Sequence, residues 1–152
     1  PDQARAFIAR IHKHCASRPR SGLQNGVDTR KDVARQVKAN ADPTGVTAAF
    51  NRNVLNHVNR VIGSDFQPEA WGHVGLYDAD IGRIEMHLQA TWPQDVTIDG
   101  VVRHFRTGER IHTENSYKYS PDAFDALLRD AGFTRTTRWL DDAQAFSVFH
   151  AA

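Results

Sequence analysis

Arg83-Ile84-Glu85-Met86-His87-Leu88-Gln89-Ala90 is the stretch that decides how this chain folds. Apolar and polar residues alternate, so Ile84, Met86, Leu88 and Ala90 share one face while Glu85, His87 and Gln89 take the other. A period of two predicts a strand over 83–91 with one dry face. The surroundings repeat the signal: residues 73–78, 95–98, 101–106 and 110–118 also read as strands. Asp78-Ala79-Asp80, Trp92-Pro93, Asp99-Gly100 and Thr107-Gly108 separate them. The expectation is an antiparallel meander.

The last of these strands carries the most suggestive chemistry. In Glu109-Arg110-Ile111-His112-Thr113-Glu114-Asn115-Ser116-Tyr117-Lys118-Tyr119, regular alternation puts His112, Glu114 and Ser116 on one face. A carboxylate and a hydroxyl two residues apart then stand about 7 Å apart at the backbone. Such a pair suits a small planar group with both an N–H donor and a nitrogen acceptor, such as an imidazole. A solvated strand face near a sheet edge has the same pattern, and spacing alone favours that reading.

Helices flank the meander. Ala4, Phe7, Ile8 and Ile11 predict a helix from residue 2 to about 17, with Asp2 as its cap. Leu23 to Asp28 reads as a short strand, and residues 31–39 as a helix ending before Asp42-Pro43. Val46, Phe50, Val54, Val58 and Val61 predict a helix over 46–62 that packs through this stripe and stops at Gly63. Ser120-Pro121-Asp122 announces another helix, ended by Gly132, before strands over 133–139 and 145–150. An α/β scaffold interrupted by a β-rich insertion fits this order.

With 152 residues the chain can enclose a real core. Nineteen Lys and Arg against 18 Asp and Glu give no basic footprint, so nucleic acid is not an expected partner. Arg18, Arg20, Arg30 and Lys31 form the densest basic region, but it straddles turns and lacks interleaved aromatics. No apolar run approaches membrane-spanning length, and the single Cys15 precludes an internal disulfide; a cytoplasmic protein is expected. The chain opens at Pro1 and is helical at once, which predicts a piece of something longer. His87, His104, His112 and Glu114 offer an alternative reading as a metal-binding β-domain, weakened by their lack of compact ligand spacing. His12, His14 and His57 read as surface residues of helices.

Three motifs in order sharpen the reading: Phe50-Asn51-Arg52-Asn53-Val54-Leu55, Arg83-Ile84-Glu85-Met86-His87-Leu88, and Ile111-His112-Thr113-Glu114-Asn115-Ser116-Tyr117-Lys118-Tyr119. With these the chain resembles the histidine-specific, S-adenosylmethionine-dependent methyltransferases, which trimethylate the α-amino group of histidine in ergothioneine biosynthesis. The resemblance extends over essentially the whole chain, including Gly26-Val27-Asp28 and Phe146-Ser147-Val148, but only to the C-terminal half of the family. It implies an α/β fold: the end of a class I, Rossmann-like methyltransferase sheet, with a reversed last hairpin, interrupted by a substrate-binding domain. Residues 1–28 and 119–152 would form the partial α/β domain, and 29–118 the helix-plus-meander domain.

The resemblance also implies roles. Glu114 and Ser116 match the pair that holds the histidine imidazole, Met86 the residue packed against its ring, and Thr47 and Phe50 positions near the same substrate. Each also has an ordinary explanation: a helix cap for Thr47, the packing stripe for Phe50, a core position for Met86. The implied substrate is free L-histidine and the implied cofactor S-adenosylmethionine, in an enzyme that is a monomer when complete. No Gly-x-Gly fingerprint occurs here, so the cofactor pocket is expected mostly outside this chain, which alone would be inactive. No catalytic residue, cofactor ligand or metal ligand is assigned. Two departures stand out: Asn40-Ala41-Asp42 replaces the family's Tyr-Asp-Asp, and Gln24 and Asn25 occupy strand positions that are usually aliphatic. They point to the other alternative, a degenerate or truncated substrate-domain protein without catalysis.

Overall fold

The computed structural model describes residues 2–30, 42 and 44–152. The expected helix over 31–39 and the Asn40 replacement lie outside the described residues. The chain divides into two compact units, residues 1–31 with 118–152, and residues 32–117. It is an α/β protein whose sheet pairings are antiparallel.

In the first unit, helix α1 (Asp2–Ala16), strand β1 (Leu23–Asp28), helix α3 (Pro121–Asp130) and strands β7 (Thr136–Leu140) and β8 (Phe146–Ala151) surround one core. The sheet order is β1-β8-β7. Ile8 of α1 and Phe124 and Leu128 of α3 pack with Val27 and Phe149 from the sheet. Ser120 starts α3 as read from the sequence: its hydroxyl accepts from the Ala123 N–H at 3.1 Å, with Pro121 next. Gln24 is exposed on β1, an edge strand of this sheet, so its amide meets no desolvation cost. His12 is not a free surface residue; its ring meets Phe133 edge-on at 4.9 Å.

The second unit contains helix α2 (Val46–Ile62), a 3₁₀ turn (Pro68–Ala70), and strands β2 (Trp71–Asp78), β3 (Arg83–Ala90), β4 (Gln94–Ile98), β5 (Val101–Phe105) and β6 (Arg110–Tyr117). They do not form one meander. β3 pairs with β2 on one side and β6 on the other, while β4 and β5 leave as a separate hairpin. Asp99 and Gly100, both at positive φ (49° and 76°), make its turn. The hairpin departs because Val96 and Phe105 close the core over Trp71 and Leu88, with Phe105 edge-on to Trp71 at 5.0 Å.

Helix α2 corrects the sequence reading more sharply. Its two buried residues are Asn51 and Leu55, whereas Val46, Phe50, Val54 and Val61 are exposed. Only Val58 of the expected stripe packs against the core. The helix turns a polar residue inward because Asn51 finds partners there: its Nδ2 donates to the His87 carbonyl at 3.1 Å and lies 3.0 Å from His73 Nδ1. Asn59 fastens the other end, donating to the Phe66 carbonyl at 2.7 Å and accepting from the Phe66 N–H at 2.9 Å. The helix then stops at Gly63, φ 67°, as its sequence indicated.

Candidate functional site

The β2–β3–β6 sheet presents two chemically different faces. Residues paired across an antiparallel ladder share a face. Trp71, His73, Ile84, Met86, Leu88 and Ile111 therefore lie on the side that meets α2, and Arg83, Glu85, His87 and Gln89 lie on the other. This is the division that the alternation of 83–90 called for.

In β6 the alternation breaks. The register shifts between Met86 and His87, so Met86 faces Glu114 while His87 faces His112, leaving Thr113 as an extra residue. His112 is thereby moved to the Glu85/His87 face, correcting its expected place beside Glu114 and Ser116. Ile111 moves the opposite way and joins the core beside Leu88. Two side chains satisfy the carbonyls at the irregularity. The Thr113 hydroxyl donates to the Met86 carbonyl at 2.9 Å, and Asn51 serves the His87 carbonyl.

The bulge decides where the candidate residues point. With Leu88 opposite Ile111 and no shift, Glu114 would fall opposite Glu85, on the face away from α2. With the shift, Glu114 stands directly across from Met86, and Ser116 across from Ile84. Gly75 lies on the far side of Met86. Met86, Glu114 and Ser116 are thus neighbours on one face; Met86 and Ser116 are half-buried and Glu114 is exposed. Thr47 lies one turn before Asn51 and shares its side of α2, whereas Phe50, 63% exposed, is turned about 100° away. None of the five lines the apolar groove of about 390 Å³ beside α2, whose wall is Val54, Val58, Ile98, Phe105 and Ile111.

Thr47 does not cap its helix. The Asp42 carboxylate does, accepting from the Thr47 N–H at 3.1 Å and the Ala48 N–H at 2.7 Å. The bond from Ala48 is the main reason that the Asp42 pKa is lowered from the ordinary aspartate value. A depressed folded-state pKa contributes stability that is present above the unfolded value and lost as pH falls through the folded one. Asp42→Asn, which keeps a capping oxygen without the charge, is expected to flatten the loss of thermal stability below about pH 4. Melting curves at stepped pH read this; an unchanged acid limb would refute it.

On the opposite face, Arg83 binds Glu85 and the Tyr117 hydroxyl, the latter at 2.9 Å. The bond from Arg83 holds the Glu85 carboxyl below its ordinary range. Burial, and then His112, push the His87 imidazole below the usual histidine value. The four residues of the alternative metal reading are not brought together. His104 lies on β5 beside Asp95, and Glu114 faces the other way; only His87 and His112 meet, rings stacked at 4.6 Å. Asn51 and Thr113, which hold the bulge, were missed in the sequence. The amide within the apolar stripe of α2 was a local hint for Asn51, whereas nothing local marks Thr113 as the extra residue.

The second unit displays an acid, an alcohol and a thioether on one sheet face. The chain belongs to the histidine-specific, S-adenosylmethionine-dependent methyltransferase family, whose model matches residues 1–152. It is 42% identical over 142 residues to the histidine N-alpha-methyltransferase of Mycobacterium tuberculosis (strain CDC 1551 / Oshkosh), covering 89% of this chain and 43% of that protein. The enzyme of the same name from Mycolicibacterium smegmatis is 42% identical over 132 residues, covering 86% of this chain and 41% of the relative. Ergothioneine biosynthesis protein 1 of Neurospora crassa is 32% identical over 124 residues, which is 80% of this chain and 14% of that protein. The chain therefore spans about two-fifths of the two bacterial relatives. Among the described residues no helix is long and apolar enough to cross a membrane.

Among the described residues no glycine-rich turn of the kind that cradles adenosylmethionine occurs. There is no Gly-x-Gly turn in the sequence, and the N-terminal amides of α2 are already occupied by Asp42.

Proposed function

We propose that this chain is the imidazole-recognition part of an L-histidine Nα-methyltransferase of ergothioneine biosynthesis, with S-adenosylmethionine held by parts of the longer protein. The observation that carries this reading is the bulged register that sets Glu114 across from Met86 and keeps Ser116 on the same face. The Glu114 carboxylate accepts from one imidazole N–H, the Ser116 hydroxyl meets the second nitrogen, and the Met86 thioether packs against the ring. Thr47, on the α2 side that meets the sheet, is a further position near the same substrate. Phe50, exposed on α2, keeps its assignment as a position near the same substrate. The first unit, with order β1-β8-β7 and its reversed hairpin, supports reading it as the last part of a class I methyltransferase sheet. Family membership disfavours the degenerate reading.

The chemistry asked of these residues is orientation. Holding the far end of histidine fixes the amine, and alignment of this kind supplies much of the acceleration in a displacement that needs no covalent intermediate. NMR titration of the chain with histidine and, separately, with S-adenosylmethionine tests the reading. Histidine is expected to shift resonances of Met86, Glu114 and Ser116, and the cofactor to leave the spectrum unchanged. Tight cofactor binding would contradict the division of labour.

A further inference from the structure

The sheet face turned away from α2 carries chemistry that histidine recognition does not use. Glu85, His87 and His112 each bring one donor atom there, all within 4.8 Å of one another. Among the described residues they are the only such group of three or more His, Cys, Asp or Glu side chains. We propose that this trio is a binding site for a divalent transition-metal ion, of the two-histidine, one-carboxylate kind that takes zinc.

The spacing suits an ion. Tetrahedral zinc with bonds of roughly 2.0–2.1 Å sets its donors about 3.4 Å apart. His87 Nε2 and Glu85 Oε2 are already 3.6 Å apart. They stand at i and i+2 on the central strand, and the Thr113 bulge brings His112 opposite His87 from β6. Without that bulge the third ligand would face the other way.

Contacts behind the donors orient them as the outer partners of metal ligands do. His112 Nε2–H donates to the Glu114 carbonyl at 3.1 Å, which leaves Nδ1 as the lone-pair nitrogen. Arg83 holds Glu85 through Oε1, so Oε2 is the oxygen turned toward His87. His87 is the exception: with Nε2 as its ligand atom the proton sits on Nδ1, which is buried with no hydrogen-bond partner among the described residues. Among the described residues Arg83 and Arg110 are the cations facing the trio, and Arg110 is engaged with Gln89 at 2.8 Å. Their charge weakens the site relative to a structural zinc centre. Three protein ligands also leave a fourth position for solvent or a small anion.

The test uses the 152-residue chain after treatment with a chelator, titrated calorimetrically with zinc chloride and, in parallel, with cobalt chloride followed by visible absorption. One equivalent of each ion is expected. His112→Gln, at an exposed position, is expected to weaken zinc binding on the order of 100-fold or more, since outer partners alone are worth about 10–100-fold. His104→Gln, on the hairpin, is expected to bind as the parent does, and circular dichroism checks that both variants stay folded. The proposal is overturned if the parent takes up no stoichiometric zinc. Equal affinity in His112→Gln, or equal losses in both variants, overturns it as well. Histidine binding is read separately, so the two assignments stand or fall independently.

Discussion

Asn51→Leu is expected to destabilise the second unit by about 2–5 kcal/mol, although leucine fills nearly the same volume and is apolar. Asn51 is 2% exposed, and its amide serves the His87 carbonyl and His73 Nδ1. Leucine removes both donors and leaves two part-buried acceptors without them, each costing up to about 1–3 kcal/mol. The size match removes any cavity contribution, so the loss reports the polar contacts. Asn51→Asp is expected to do no better, because a carboxylate can only accept and would face a carbonyl oxygen. Urea unfolding of each variant gives the number; a loss under about 0.5 kcal/mol for Asn51→Leu would show the amide to be incidental. Since one of these acceptors is the carbonyl at the register shift, the same variant is expected to disturb the face on which Glu114 lies. Thr113→Val, which deletes only the hydroxyl on Met86, is the milder version of the same lesion.

These two residues also mark the boundary of what the sequence disclosed. The strand over 83–90 was legible because period-two alternation is a local property that needs no partner to be recognised. The caps at Ser120 and Gly63 and the Asp99-Gly100 turn were legible for the same reason: each is enforced by a single residue's donors or its φ. The orientation of α2 was not. Counting apolar residues selects Val46, Phe50, Val54 and Val61, but burial was decided by a carbonyl on another element that needed an amide. The hairpin's departure from the sheet was equally hidden, since it depends on Phe105 meeting Trp71 across the core.

The candidate site divides along the same line. Glu114 and Ser116 share a face because they are two residues apart beyond the bulge, and that part of the alternation survives. His112 stands before the bulge, and one unpaired residue was enough to send it to the far side, as period-two geometry requires. A sequence reading had no means to locate that residue, because a bulge is fixed by what its neighbours offer to its carbonyls. The same event that spoils the simple reading of β6 also separates two sets of side chains. It gives the acid and alcohol to one face and the histidine pair to the other.

In the full-length protein, Glu114→Ala is expected to weaken histidine binding by about 1–3 kcal/mol, or roughly 5–150-fold at 25 °C. Glu114 is exposed, so its loss is expected to leave unfolding stability within about 0.5 kcal/mol of the parent, unlike the loss of Asn51. That contrast separates recognition from architecture: one variant loses substrate and keeps its fold, the other loses the fold that aims the substrate's partner. Ser116→Ala removes a neutral hydroxyl and is expected to cost less, about 0.5–1.5 kcal/mol. The kinetic form of the loss is informative too. If the acid binds ground state and transition state equally, KM rises and kcat holds; if it aligns the amine, kcat falls with it. The orienting role argued above requires the second pattern, with kcat lower even at saturating histidine. Unchanged affinity and unchanged kcat in a folded Glu114→Ala protein would remove the imidazole clasp from this face.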